Sequence, residues 1–374
     1  MLCFSKDILG SNKHLLFDNE SNKIAWVSEE PEKIHNFGFK NSKWSAEALF
    51  ETLNRDIPNI IGEEWTKMMG QLKPKSKVPW PFIIPTDILK ESMRLVAQET
   101  FECIEALGEY VNVIAASRDI LASLESVYVD EAKYDILYKK LGDVMLQFKP
   151  NDMRQLDPPI YSHKSATGRL IIKERQNILS APKEIRQIFD TKWASGKNYQ
   201  IDFVSLEPRI LRLISTGGFA PNDIYVDLQN HFKNESRSEI KLRVMKSVYG
   251  QSQDASGLFD YFGLSKIHEF MQNEKKSWWG RPLLEAFDRK HEVSHWTQST
   301  AVDVALQGFG KLIKKLRSAD VQFSPHHVLV DALFIDLETS KDNFQKFSEI
   351  VHDGIYIENM GKFNFSLSEL YETQ

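Results

Sequence analysis

Cysteine is nearly absent from this chain: Cys3 and Cys103 are the only two in 374 residues. Two distant thiols cannot build a disulfide framework or a zinc-finger spacing, and a reducing cytoplasmic compartment is the expectation. No stretch approaches the ~18 uninterrupted apolar residues that a spanning helix needs, so no membrane partner is expected. The N-terminal residues MLCFSKDILGSNKHLLFDNE acquire charge too early for a secretory signal. No GxxxxGK(S/T) phosphate loop occurs, which argues against a built-in helicase. Internal repeats and low-complexity tracts are missing as well. Neither sign of charge dominates: 47 Lys+Arg against 52 Asp+Glu leave −5, which says little about nucleic acid until the distribution is known. What is present is globular in composition, 42% hydrophobic and 26% charged, at a length that suggests two or three domains.

The stretch HLLFDNESNKIAWV reads as two extended runs around a polar turn, a β-hairpin. KPKSKVPWPFIIP (73–85) carries four prolines and predicts a linker, with Thr86 as the cap of the helix that follows. From there to about 149 apolar residues recur at threes and fours, among them Leu89, Met93, Val96 and Leu107, as in helices. Pro150, Pro158 and Pro159 mark a second boundary. Beyond it, β-like runs alternate with amphipathic helices, the pattern of an α+β domain. Charge is uneven in this region. Residues 161–192 hold seven Lys/Arg against three acids, and 231–250 hold five against two. Such islands suit a solvated basic face or polyanion contacts.

Three segments carry chemistry. In YQIDFVSLEPRILRLIS (199–215) a strand ends at Asp202, and a helical pattern follows Pro208. In HHVLVDALFIDL (326–337) two apolar runs flank Asp331-Ala332, a tight hairpin with a carboxylate at its tip. Two aspartates from separate strands are the minimum for gripping hard divalent cations through oxygen. They could equally be residues that merely end strands. In RSEIKLRVMKSVYG (237–250), Arg237, Lys241, Met245 and Tyr249 recur every four residues along one helix face. Cations followed by an apolar and an aromatic side chain suit a nucleoside triphosphate. An ordinary amphipathic helix would show the same spacing.

Together these segments resemble the DNA polymerase I family (family A). Asp202-Phe203-Val204-Ser205-Leu206-Glu207-Pro208-Arg209 resembles its first palm motif, keeping the Asp, Glu and Arg. Arg237, Lys241, Tyr249 and Gly250 match its fingers motif, with Met245 in the aromatic position. Val330-Asp331-Ala332 stands where the family has His-Asp-Glu, so only the Asp remains. Thr167-Gly168-Arg169-Leu170 with Gln176-Asn177-Ile178, then Asp223-Ile224-Tyr225, then Gln298-Ser299-Thr300-Ala301 with Asp303, follow the family's further segments in order.

The resemblance implies an α+β right-hand polymerase with an antiparallel palm sheet, helical fingers and a helical thumb, preceded by a small N-terminal unit. The corresponding domains are 1–80, thumb 81–155, palm 156–222, fingers 223–288 and palm 289–374. It implies template-directed addition of dNTPs to a primer 3′-hydroxyl by two Mg²⁺ ions, with Mn²⁺ as a substitute. Asp202, Asp331 and the Phe203 carbonyl would hold the metals. Arg237, Lys241, Met245, Tyr249, Tyr225 and Glu207 would hold the nucleotide, and Glu207 would exclude a 2′-hydroxyl. Arg169, Gln176, Asn177, Arg209 and Gln298 would touch primer-template DNA. A processivity factor, primase or helicase are candidate partners of a monomer in a bacterial or phage-infected cytoplasm. Asp18-Asn19-Glu20 resembles a fragment of the family's proofreading exonuclease, but the segment is too short for one. The competing readings are a single-subunit RNA polymerase, a silent nucleic-acid-binding accessory protein and a metal-dependent nuclease.

Overall fold

In the computed structural model, residues 1–62, 65–67, 79–248, 257–283 and 291–371 are described, and the chain divides into two compact units, Met1–Ala122 and Ser123–Gln374. Both are mixed α+β with antiparallel pairing dominant.

The first unit is built on a sheet of order β3-β2-β1-β4, from β1 (Leu2–Phe4), β2 (His14–Asp18), β3 (Lys23–Val27) and β4 (His35–Phe37). A four-residue helix, α1 (Lys6–Leu9), follows β1. The expected hairpin is β2–β3, paired from His14↔Val27 to Asp18↔Lys23. Asp18 spends its carboxylate on the turn, accepting from the Glu20 amide and the Ser21 hydroxyl. That is a turn role and needs no exonuclease. Helices α2 (Ala46–Thr52), α3 (Thr86–Leu107) and α4 (Tyr110–Ala122) complete the unit. Thr86 is the first helical residue of α3, and Pro85 takes the cap position.

Compactness divides the chain elsewhere than at the expected domain limits. The expected limits at 80/81 and 155/156 do not coincide with the unit boundary at 122/123, and α3, with its buried stripe of Leu89, Met93, Val96 and Leu107, lies within the first unit together with α4. The described end of the proline-rich stretch also packs there. Trp80 donates its indole N–H to the Ile8 carbonyl at 2.8 Å, and Phe82 stacks on Trp26 at 5.0 Å. Prolines alone do not make a boundary when aromatics between them find a surface. The fully buried Arg118 of α4 donates to the Ser42 carbonyl, with Glu47 and Glu51 nearby. The earlier part of the linker, 68–78, lies outside the described residues.

The second unit opens with β5 (Val127–Val129) and α5 (Glu131–Leu141), capped by Asp130. Short strands β6 (Gln155–Leu156), β7 (Ile160–Ser162), β8 (Ile171–Glu174) and β9 (Phe189–Asp190) follow, so Pro158 and Pro159 sit between strands rather than between domains. Then come β10 (Gly196–Phe203), α6 (Leu206–Thr216), α7 (Ile224–Gln229), α8 (Arg237–Val248), α9 (Leu258–Tyr261), α10 (Leu264–Glu274) and α11 (Glu292–Ser318). The hairpin β11 (Phe323–Leu329) and β12 (Ala332–Glu338), α12 (Lys341–Asp353), β13 (Ile355–Ile357), β14 (Gly361–Phe363) and β15 (Phe365–Glu369) end it.

The central sheet has the order β11-β12-β10-β15, all antiparallel. Period-two alternation along β10 decides its faces. Tyr199, Ile201 and Phe203 are buried on one, while Asn198, Gln200 and Asp202 are half-buried on the other. Phe203 packs among Phe309, Phe363 and Phe365, at ring distances of 5.0, 6.0 and 4.7 Å. The 27-residue α11 crosses behind this strand. A Cβ at Gly308 would meet Phe203 Cζ at 2.6 Å and Ile355 Cδ1 at 2.5 Å, so any larger residue would have to push both side chains aside.

Candidate active site

A cleft of 660 Å³ opens at the end of β10, and most of the residues expected from the sequence line it. Asp202 is the last residue but one of β10, opposite Ala332 in register. Asp331 lies in the two-residue turn between β11 and β12, and its carbonyl accepts the Phe203 amide at 3.1 Å. That bond holds the hairpin tip against the strand end, so both carboxylates face the same cleft. Val330, beside Asp331, has φ 51°, a conformation that costs a β-branched residue about 1–2 kcal/mol. The turn therefore spans Val330-Asp331, and Ala332 already belongs to the strand.

Burial, then the charge of Asp331, pushes the Asp202 carboxyl up to about 6, and burial raises Asp331 as well. One oxygen of Asp202, Oδ1, is buried with no hydrogen-bond partner among the described residues, while Oδ2 receives a long bond from Gln200 Nε2 at 3.4 Å. An orphaned carboxylate oxygen beside a second carboxylate is a donor set for a hard cation. Among the described residues no group of three or more His, Cys, Asp or Glu could hold a metal. Mg²⁺, however, is commonly held by one or two carboxylates together with waters and substrate phosphates. The residues fit that ion.

Across the cleft, α8 presents Arg237, Lys241 and Met245. Arg237 lies 5.1 Å over the Tyr225 ring and donates to Asp223 from Nε and Nη2 at 3.0 and 2.8 Å. Asp223 caps α7 and also accepts the Ser205 hydroxyl. Burial opposes its ionisation, but the bonds from Arg237, the Tyr225 amide and Ser205 outweigh that and hold its carboxyl below the usual range. At the floor, Arg169 pairs with Glu207 at 2.9 Å. Arg169 rides a loop clamped from behind. The buried Arg281 donates to the carbonyls of His163 and Ser165, and His295 of α11 meets the Ala166 carbonyl. Gln298 of α11 completes the lining. Asp303 lies buried in the same helix, accepting from Ser277.

Three expected contact residues are elsewhere. Arg209 is buried and spends its guanidinium on the carbonyls of Lys362 (3.0 and 2.7 Å) and Pro221. Gln176 is buried and donates to the Asp157 carbonyl at 2.7 Å. Asn177 accepts the Leu179 amide, as a turn residue does. Arg209 and Gln176 are consumed by backbone carbonyls, Asn177 keeps one oxygen on its own turn, and none of the three lines the cleft. Tyr249 and Gly250 lie outside the described residues. Sequence reasoning missed Arg186, which lies 5.0 Å over Phe334 and donates to Gln200 Oε1 at 3.0 Å, forming a relay toward Asp202. Its place in the 161–192 basic island was visible, but nothing distinguished it from its neighbours.

The chain matches no protein-family model and no curated protein. Among solved structures it is similar to the POL domain of Pol1 from M. smegmatis, in complex with DNA primer-template and dNTP, with a TM-score of 0.46 and 15% identity. The match covers 86% of this chain and 62% of that one. No helix among the described residues is long and apolar enough to cross a membrane.

Proposed function

We propose that the second unit is a template-directed nucleotidyltransferase, adding deoxynucleotides to a primer 3′-hydroxyl. The supporting observation is the cleft itself: a half-buried carboxylate pair on one wall, Asp202 with its orphaned oxygen, faces the cationic α8 on the other. That is the division of labour phosphoryl transfer needs, metals at the reacting oxygens and fixed cations on the phosphate tail. Asp202, Asp331 and the Phe203 carbonyl would hold two Mg²⁺, which when bound supply activation of the 3′-hydroxyl and charge neutralisation at the leaving pyrophosphate. Arg237 and Lys241 orient the triphosphate and stabilise charge that grows during in-line displacement. Met245 and Tyr225 lie against sugar and base. Glu207, fixed by Arg169, occupies the space a 2′-hydroxyl would need. Gln298 and Arg169 contact the primer end, giving a grip without base readout.

In this reading the sheet β11-β12-β10-β15 is the palm, and α7 to α10 form the fingers. The helices of the first unit keep no assigned thumb role. The test is primer extension with purified protein, supplying dNTPs and rNTPs in turn. Asp202→Asn and Asp331→Asn should each abolish Mg²⁺-dependent extension while duplex binding persists. Robust extension by either variant would overturn the assignment, and preferential rNTP use would overturn the role of Glu207.

A further inference from the structure

The cation best placed for a phosphate tail is already engaged. Arg237 gives Nε and Nη2 to a single oxygen of Asp223, Oδ2. The other oxygen, Oδ1, accepts the Ser205 hydroxyl at 3.1 Å and the Tyr225 amide at 2.9 Å. Ser205 has φ 53° and forms the turn between Asp202 on β10 and Glu207 on α6, and its hydroxyl makes no cap bond to its own helix. Asp223 thus joins the turn after the carboxylate strand to the cationic helix, through one side chain. A carboxylate seated on the guanidinium that a phosphate would use is an internal competitor.

Resting on the polymerase reading of this cleft, we propose that Asp223 is a built-in counter-anion that an incoming triphosphate displaces from Arg237. Displacement leaves Asp223 with its Ser205 and Tyr225 donors, so α7 stays capped and the Ser205 turn stays tied. Only the Arg237 side of the junction changes hands. The competitor lowers affinity for every phosphate ligand. A polyphosphate, with several charges, overcomes it more readily than a monophosphate does, so the latch favours triphosphate over shorter anions. A purely structural Asp223 makes the opposite prediction: removing its charge would loosen α7 and weaken nucleotide binding.

The sign of the effect decides between them. Asp223→Asn keeps a cap oxygen and an acceptor for Ser205 but removes the charge from Arg237. Fluorescent dNTP is titrated with Mg²⁺, without primer, into the full chain carrying wild-type, Asp223→Asn, Arg237→Ala or both changes. The pair is partly solvent-exposed, so the expected gain in affinity for Asp223→Asn is modest, about two- to fivefold, with KM in extension falling in step. Arg237→Ala should bind more weakly and erase the gain in the double variant. Equal or weaker binding by Asp223→Asn, alongside normal wild-type binding, overturns the latch and leaves the polymerase reading standing. Wild-type protein that binds no dNTP overturns both. Asp223→Ser, another neutral capping residue, repeats the measurement should the amide disturb folding.

Discussion

Replacing Asp202 with Asn should stabilise the protein while ending its proposed chemistry. The metal-free carboxyl is raised from 3.8 to about 6 by burial and by Asp331. A folded carboxyl that holds its proton more tightly than the unfolded one favours folding at low pH and costs stability as the pH rises through about 6. That rise corresponds to about 3 kcal/mol against folding at pH 8. The figure is an upper bound, because the cleft admits water. For a unit the size of Ser123–Gln374, the melting temperature of Asp202→Asn at pH 8 should rise by up to roughly 6–12 °C. The choice of pH isolates the effect, since the buried His326 and His327, both shifted down, are neutral there in the folded and unfolded chains alike. Calorimetry without metal, then with Mg²⁺, gives two readouts. Mg²⁺ should raise the melting temperature of wild-type protein and leave the variant unmoved. A variant that melts at or below wild-type temperature at pH 8 would show that Asp202 carries no uncompensated charge, and the argument for a cation site would fall with it.

Val330→Asn should stabilise by about 1 kcal/mol in chemical denaturation, because Asn tolerates the left-handed turn better than a β-branched residue. Gly168 has φ 73°, and a Cβ there would collide with the Arg281 guanidinium. Gly168→Ala should therefore destabilise the protein and raise the KM for primer-template by displacing the loop that carries Arg169. His326 and His327 are fully buried and share a 2.6 Å contact between their Nδ1 atoms, with His327 pushed down to about 3 by burial. Their stabilising contribution is complete above the unfolded value near 6.5 and is lost as the pH falls toward the folded value. Each should contribute a slope approaching ~1.4 kcal/mol per pH unit, and the double change His326→Asn, His327→Gln should flatten the denaturation midpoint below pH 6.

The aspartates and the stripe on α8 were legible because their cues are local. A strand ending in Asp202, a hairpin tip at Asp331 and a repeat of four in Arg237, Lys241 and Met245 can each be read within a dozen residues. The partners were not. Arg169 with Glu207, and Arg237 with Asp223, join residues whose spacing carries no pattern. Arg209 shows the converse failure: a motif identifies an arginine but not whether its guanidinium is free, and here the backbone of Lys362 and Pro221 consumes it. The division at 122/123 was hidden for a similar reason. Strands β5, β6 and β9, two or three residues each, are too short to show alternation. The prolines on either side of them were more conspicuous than the tryptophan at position 80 that anchors its stretch to Ile8.

The missing methyl at Gly308 has a mechanical corollary. One rigid rod, α11, reaches the Arg169 loop through His295, lines the cleft through Gln298 and bears directly on the back of the Asp202 strand through Phe203. Those parts are coupled through one helix, with the Phe203 ring, itself packed among Phe309, Phe363 and Phe365, lying between rod and strand. The opposite bank, where Arg237 stands, carries no such tie to α11 through Phe203 or His295 among the described residues.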